Sequence, residues 1–249
     1  GTLANGGKRV EPYAIVRILD NDGNEIQIPA HAQPQQVIQP EHAYLITHIL
    51  ADDVARSAAF GRNSVLNIPG YTVAVKTGTT NDNRDNWTLG YTPTVVVGVW
   101  HGNTDNSPML GTSGLTGAAP IWNAVMTAAL ARLGTQNFPI PPNVGTIEVC
   151  ADSGTLPSAQ CLNRRQELVV TSQLPPGPEQ DIFKTVRVDT LTGLLANDFC
   201  PNFTEERQFL NISDPTAFQS INNTAAGQQW AAQRNIPLPA RPVPTEACN

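Results

Sequence analysis

Residues 71–80 read YTVAVKTGTT and residues 85–102 read DNWTLGYTPTVVVGVWHG, and these two stretches decide the fold. In the first, the alternation over Tyr71–Thr77 predicts a strand with Tyr71, Val73 and Val75 on one side and Thr72, Ala74 and Lys76 on the other. In the second, Trp87–Thr92 and Thr94–Trp100 predict two more strands, and the turn residues Thr92-Pro93 predict a hairpin between them.

Helices are predicted on both sides of these strands. Pro40 suits the first turn of a helix, and one apolar face is formed by Leu45, Ile46, Ile49, Leu50 and Val54. A second helix has Trp122, Val125, Met126, Ala129, Leu130 and Leu133 at helical spacing and ends at Gly134. An earlier apolar run, Tyr13–Leu19, predicts a strand that leads into a turn at residues 20–23. Helices packed against a largely antiparallel sheet predict an α+β fold.

Composition excludes several classes of protein. The chain has 249 residues, 15 Lys+Arg and 21 Asp+Glu, for a formal net charge of −6. This balance argues against a nucleic-acid partner, which requires a basic surface. No run approaches 18 apolar residues, and no signal peptide is visible after Gly1. We therefore expect any membrane anchor or signal to lie upstream of this chain.

Proline divides the chain into two segments. Residues 1–135 carry 8 of the 21 prolines and residues 136–249 carry 13, with a stiff connector, FPIPP, at 138–142. We place a domain boundary near residue 136, followed by a Pro-rich, Cys-containing extension of unknown role. In that extension, residues 185–188 predict a strand, 189–193 its turn and 225–232 a helix. We detect no internal repeat.

The tripeptide Lys76-Thr77-Gly78 is the motif that carries chemistry. Alone, it is better explained as an exposed lysine and a turn at the end of a strand. A P-type ATPase would need an aspartate directly before the lysine, where this chain has Val75, and a phosphate-binding P-loop would need a glycine-rich run before Lys76. Both alternatives fail. Lys-Thr-Gly also marks a strand beside the active site of penicillin-binding proteins and serine β-lactamases.

The surrounding sequence favours that last group. Residues 76–93 (KTGTTNDNRDNWTLGYTP) resemble the corresponding stretch of class A (bifunctional) penicillin-binding proteins. Residues 97–103 (VGVWHGN), 113–122 (SGLTGAAPIW) and 3–7 (LANGG) are similar to further segments of that family. The resemblance covers residues 1 to about 135. It implies the C-terminal part of a penicillin-binding, β-lactamase-like transpeptidase domain.

The resemblance implies an acyl transfer without a cofactor. A serine attacks the D-Ala-D-Ala end of a peptidoglycan stem peptide, and the amine of a second stem then takes the acyl group; β-lactam antibiotics stall the acyl-enzyme. Lys76 would supply positive charge near the substrate carboxylate, which the hydroxyls of Thr77 and Thr79 would hold. The Thr79 N–H would form half of the oxyanion hole. Gly78 would permit close approach of the substrate backbone, with Thr80 also in the substrate-binding set.

The chain departs from the family pattern at the nucleophile. The family order is Ser-x-x-Lys, Ser-x-Asn, then Lys-Thr-Gly, yet no serine here is followed by lysine three residues later. The single Ser-x-Asn, residues 220–222, follows Lys76 and is interpreted as coincidence. We expect the nucleophile upstream of Gly1 and this chain alone to be inactive. A non-catalytic wall-associated or interaction module is the alternative, and a β-lactamase is a weaker third interpretation.

Histidines and cysteines complete the candidate residues. The four histidines are His31, His42, His48 and His101. Their spacing does not match a metal-binding motif, so we assign them solvated or packing roles and predict no metal site. All four cysteines lie in the extension, without a Cys-x-x-Cys pair. The export that the family resemblance implies, to the extracytoplasmic face of the membrane, favours disulfides. Cys150 and Cys161 bracket a turn-rich loop and are predicted to pair, and Cys200 with Cys248 is a weaker guess.

Overall fold

The computed structural model describes residues 1–28, 32–200 and 203–248. It divides the chain into two compact units, Gly1–Val144 and Gly145–Asn249. The domain boundary proposed near residue 136 thus lies within the first unit, where the Phe138 ring packs edge-on against Tyr91 at 5.8 Å between centroids. His31 lies outside the described residues.

The first unit is built on a three-stranded antiparallel sheet. Its strands are β5 (Ala74–Thr79), β6 (Asp85–Tyr91) and β7 (Val96–Gly102), in that order across the sheet. Before it come two short antiparallel pairs, β1 (Lys8–Arg9) with β4 (Gln35–Gln36) and β2 (Ile18–Leu19) with β3 (Glu25–Ile26). The helices are α1 (Pro40–Ala51), α2 (Asp53–Phe60) and α3 (Ala118–Leu133). The predicted α+β fold is confirmed.

The core of the first unit lies between α3 and one face of the sheet. Trp122, Met126 and Leu130 of α3 are buried there against Val75 and Val97. The Trp122 indole lies directly over Gly90, where an added Cβ would be 2.3 Å from the ring. Gly90 is therefore a glycine because only a bare backbone lets α3 pack on the sheet. Gly134 ends the helix, as predicted.

Several expectations for this unit are wrong. The strand predicted at Tyr13–Leu19 contracts to Ile18–Leu19, and Tyr13 and Val16 are exposed. The predicted apolar face through Val54 is broken because the Asp52 carboxylate accepts from the N–H groups of Val54 and Ala55 and begins α2. On α1 the buried residues are Ala43 and Thr47.

Helix α1 covers one end of the sheet face that lies opposite α3, and Thr47 makes the contact there. Its hydroxyl shares a hydrogen bond of 2.9 Å with the Tyr91 hydroxyl, and α1 packs against β5 there. Burial raises the pKa of Tyr91, an effect that the Thr47 hydrogen bond partly offsets. Ala74 pairs with Tyr91 and lies on the same face as Lys76, as the alternation predicted, but α1 covers this end of the face and Ala74 is completely buried.

The described residues of the second unit form two hairpins, of which β10–β11 is antiparallel, and two helices. The hairpins are β8 (Val144–Cys150) with β9 (Arg164–Val170), and β10 (Phe183–Asp189) with β11 (Thr204–Leu210); β8 begins one residue before the unit. The helices α4 (Pro215–Asn223) and α5 (Ala225–Gln233) begin at side-chain caps from Asp214 and Thr224. Strand and helix in the extension are thus found where the sequence predicted them.

The two hairpins repeat one loop conformation. The Cys150 N–H bonds to the carbonyl five residues on, and its carbonyl accepts from the Gly154 N–H. Thirty-nine residues later Asp189 and Gly193 make the same two bonds, and the two glycines have φ of 72° and 73°. The expectation of no internal repeat is therefore wrong. In the sequence the two loops share a glycine and a second cysteine at this same spacing, but Asp189 stands in place of the first cysteine.

One disulfide closes the connecting loop of the first hairpin, and the other ties the connecting loop of the second hairpin to the C-terminal segment. Cys150 pairs with Cys161, with Cα atoms 5.7 Å apart, and Cys200 pairs with Cys248 at the same Cα separation. Both predicted pairings are confirmed. Asp181 and Asp189 lie beside the two bridges, but sulfurs in disulfides are not thiolate ligands for a metal.

Candidate active site at the edge of the central sheet

Strand β5 ends the three-stranded sheet with one unpaired edge among the described residues. In an antiparallel pair, residues that bond to the neighbour alternate with residues whose N–H and C=O point away. The Thr80 N–H donates to the Asp85 carbonyl at 3.1 Å, so Gly78 and Lys76 also bond towards β6. The residues whose backbone groups face the open edge are Val75, Thr77 and Thr79.

Lys76 is exposed and lies on the sheet face opposite the buried Val73 and Val75. This placement of the lysine and the two valines is the one that the alternation predicted. The ammonium group contacts the Thr77 carbonyl, which points to the open edge. Among the described residues no carboxylate forms an ion pair with Lys76. The edge therefore carries an uncompensated positive charge.

Thr77 and Thr79 lie on the other face, under the loop that leads into α3. The Gly114 N–H donates to the Thr79 hydroxyl oxygen at 3.1 Å. Because this hydroxyl only accepts in that bond, its proton is free to donate to a ligand. A Cβ at Gly114 would lie 2.9 Å from the Thr77 Cβ, so only glycine lets the loop lie this close to the strand.

Gly78 has a different environment. A Cβ added there would meet nothing nearer than the Trp87 Cβ, at 4.0 Å. Its φ is also outside the left-handed region, where glycine is favoured. Neither packing nor backbone conformation within the described residues therefore requires glycine at this position, in contrast to Gly90 and Gly114.

Thr80 closes the turn that follows the strand. Its hydroxyl donates to the Asp85 carbonyl at 3.1 Å and accepts from the Asp85 N–H at 3.0 Å. The turn itself contains Asp82 and Asn83, both with positive φ. Thr80 thus lies at the end of the open edge with its hydroxyl already engaged.

A cleft of about 510 Å³ lies beside this end of the strand. Its lining includes Thr79, Thr80 and the charged side chains of the turn, Asp82, Arg84 and Asp85. The Arg84 guanidinium donates to the Asn106 carbonyl at 2.9 Å, which ties the turn to the loop after β7. The cleft thus lies at the turn end of β5, next to Thr79 and Thr80.

Two polar residues that support the site were not singled out from the sequence. Asn86 is fully buried, and its side-chain oxygen accepts from the Ala118 N–H at 2.9 Å, at the start of α3. Thr88 is also buried and donates to the Gly114 carbonyl at 3.1 Å. Both bonds fix the loop and the start of α3 to β6, the strand beside β5. The signal was their alternation with Trp87 and Leu89, which puts two polar side chains on the core face of β6.

Comparisons with known proteins agree with this geometry. The family model described as the penicillin binding protein transpeptidase domain matches residues 1–127, just over half of the chain. Penicillin-binding protein 1A of Clostridium botulinum is 28% identical over 255 residues, covering 100% of this chain and 30% of that relative. Penicillin-binding protein 1A of Neisseria gonorrhoeae is 36% identical over 156 residues, covering 57% of this chain and 18% of that relative.

One solved structure shows the fold. The crystal structure of penicillin-binding protein 1A from Haemophilus influenzae matches with a TM-score of 0.55 and 23% identity, over 70% of this chain and 31% of that one. The chain thus spans about a third or less of the length of these three proteins. Within the described residues, no helix has the length and apolar character needed to cross a membrane.

Proposed function

The chain belongs to the class A penicillin-binding protein transpeptidase family, and from that premise we propose that it forms one wall of the active site of a serine D,D-transpeptidase. The substrate would be the D-Ala-D-Ala end of a peptidoglycan stem peptide, and β-lactam antibiotics would bind at the same place. The observation that carries the proposal is the open edge of β5, with Lys76, Thr77 and Thr79 on it.

The backbone of the edge suits an extended peptide. Unpaired N–H and C=O groups on a strand edge accept another chain by β-augmentation. A stem peptide lying along β5 would pair with the outward groups of Thr77 and Thr79. The open space over Gly78 supports this pose, because the chain's own packing leaves that position free.

The positive charge and the hydroxyl groups at this edge are suited to binding the terminal carboxylate of the substrate. The Lys76 ammonium and the free hydroxyl proton of Thr79 would hold the terminal carboxylate, together with the Thr77 hydroxyl. Thr80 would line the adjoining end of the site, where its hydroxyl fixes the turn.

The chemistry is an acyl transfer in two steps. The serine oxygen would bond to the penultimate D-Ala carbonyl carbon, and the developing oxyanion would accept from the outward Thr79 N–H. Collapse of this intermediate would break the peptide bond, and the terminal D-Ala would leave with a proton on its nitrogen. The amine of a second stem would then displace the serine and form the cross-link.

The nucleophile would come from a segment outside these 249 residues, since no serine here has lysine three residues later. The same longer polypeptide would place this chain on the extracytoplasmic face of the membrane, anchored by its own upstream segment. It would also carry a peptidoglycan glycosyltransferase domain, as the class A resemblance implies.

Labelling with a fluorescent penicillin tests the proposal. The full-length gene product should form a covalent adduct that survives denaturation, whereas the 249-residue chain should form none by intact mass. Lys76→Ala should slow labelling of the full-length protein about 100-fold, the scale for losing one electrostatic contact to the reacting group. Lys184→Ala, which removes another of the three lysines, is the matched control. A serine adduct on the 249-residue chain, or equal labelling by Lys76→Ala, would contradict the proposal.

A further inference from the structure

The second unit contains an apolar pocket of about 370 Å³. It is lined by Phe183 and Phe209 and by the segment Ile236–Pro239, with Arg207 and Arg241 at the polar positions. This volume and this mixture of apolar walls with a few charged groups are typical of a small-ligand or side-chain site.

The pocket lies along an open strand edge. The Asn211 N–H donates to the Ile182 carbonyl at 2.8 Å, which fixes the residues of β11 that bond to β10. By the alternation of an antiparallel pair, the N–H and C=O of Glu206 and Gln208 point away from β10. Within the described residues they have no backbone partner.

The chain itself blocks that edge at one end. The Leu210 N–H donates to the Arg241 carbonyl at 3.4 Å, and Leu210 forms a parallel bridge with Pro242. A peptide that paired with Glu206 and Gln208 in the direction parallel to β11, as the Pro242 segment does, could therefore not continue past Arg241. It would have to end there, at an arginine side chain.

The charges favour a carboxylate at that point. Arg241 is exposed and forms no ion pair within the described part of the chain, while the Arg207 guanidinium is paired with Glu205. An arginine without an acidic partner beside apolar walls favours an anionic group on an apolar ligand.

We propose that this pocket binds the C-terminal end of an extended peptide whose last side chain is large and apolar. The peptide backbone pairs with the edge at Gln208, the last side chain enters the pocket beside Phe209, and the terminal carboxylate pairs with Arg241. The site is separate in its residues from the sheet edge at Lys76, and it does not depend on the transpeptidase proposal.

An NMR titration of the 249-residue chain tests the proposal. The probe is the acetylated pentapeptide Gly-Thr-Val-Thr-Phe with a free carboxylate, compared with its C-terminal amide and with the peptide that ends in Gly. We expect the free-acid Phe peptide to shift the backbone amide signals of residues 206–210. The other two peptides should bind at least about tenfold more weakly, because a charge-assisted hydrogen bond or a buried ring contributes about that much.

Variants separate the pocket from general charge effects. Arg241→Glu should weaken binding at least about tenfold, while Arg165→Glu, at an exposed arginine paired with Glu167, should not change it. Equal binding of the acid and amide peptides would overturn the proposal, as would equal effects of the two variants. The absence of any shift at millimolar peptide would overturn it too. A glycan fragment that shifts these signals where the peptide does not would assign the pocket to sugar instead.

Discussion

The two units of this chain are held together by different means. In the first, a helix with a buried tryptophan covers a sheet, and the largest cluster of buried apolar residues described in the structure is found there. In the second, the corresponding cluster is smaller, and each hairpin loop carries a disulfide: Cys150–Cys161 closes one loop, and Cys200–Cys248 ties the other to the C-terminal segment. All four cysteines lie in that unit. The difference indicates that crosslinks replace apolar burial where a segment has little core of its own.

The two hairpins of the second unit also differ from each other in what stabilises their loops. At the same place in the same loop, one hairpin has Cys150, bonded to Cys161, and the other has Asp189. The Asp189 carboxylate accepts from the N–H groups of Leu191 and Thr192, at 3.0 and 2.7 Å, and so holds its loop by hydrogen bonds. The same loop conformation is thus stabilised by a disulfide in one hairpin and by carboxylate hydrogen bonds in the other.

The largest effect is expected at the centre of the first core. Trp122→Ala should lower the free energy of unfolding of the first unit by about 3–5 kcal/mol, because it leaves a cavity where a fully buried ring had packed. Urea denaturation followed by NMR would measure this and should leave the signals of the second unit, such as the Trp230 indole, in place. Trp87→Ala, at a half-exposed tryptophan, is the control and should cost much less. Equal losses from the two variants would contradict the assignment of the core.

Local signals in the sequence predicted much of the first unit. The alternating valines of β5, the turn at Thr92-Pro93 and the glycine at the end of α3 each determine structure through their near neighbours, and each was predicted correctly. The burial of Ala74 was missed because it depends on α1, which is distant in sequence and covers only one end of the sheet face.

In the candidate site, too, some features follow from local sequence and others depend on tertiary structure. The sequence predicts Lys76-Thr77-Gly78 as a motif, the family resemblance adds Thr79, and the placement of the lysine opposite the valines follows from alternation. Which backbone groups face the open edge depends on pairing register, and the contact of Gly114 with the strand depends on tertiary packing. Neither can be obtained from local sequence. The repeat in the second unit was hidden because its cysteine pairing differs between the copies.

Removing the disulfides would test the second half of the comparison. The bridge Cys200–Cys248 closes a separation of 48 residues and Cys150–Cys161 one of 11, so chain-entropy arguments give about 4 and about 3 kcal/mol for the two. The double variant Cys200→Ala with Cys248→Ala should therefore lower the unfolding free energy of the second unit more than Cys150→Ala with Cys161→Ala. Denaturation curves of both would measure this. A loss of stability in the first unit instead would break the comparison.

Two glycines of the central sheet, Gly90 and Gly78, allow a test of whether a glycine is needed for packing or for function. Gly90→Ala should lower stability by about 1–3 kcal/mol, since the new methyl group would overlap the Trp122 ring. Gly78→Ala should keep stability unchanged or raise it by about 0.5 kcal/mol, because the site is open and the unfolded chain loses freedom. Thermal unfolding of the two variants would compare them. Similar destabilisation by both would mean that Gly78 is structural, and its proposed role at the edge would lose its support.

The smallest effect is expected at Asp189 on acidification. Hydrogen bonds from the Thr192 backbone and hydroxyl hold the pKa of Asp189 below its ordinary value of 3.8. A carboxyl group whose pKa is lower in the folded state stabilises the fold above the unfolded pKa, and this contribution is lost as the pH falls through the folded pKa. Stability of the second unit should therefore decrease below about pH 4 through this group.

Asp189→Asn should remove this part of the acid dependence, while the loop of the first hairpin, held at the same position by Cys150, should keep its protected amide signals. A carboxyl titration followed by NMR, with urea denaturation between pH 7 and pH 3, measures both quantities. If Asp189 titrated above 3.8, or if the variant kept the full acid dependence, the carboxylate would not be what holds the second loop. The two hairpins would then differ in sequence without differing in how they are stabilised.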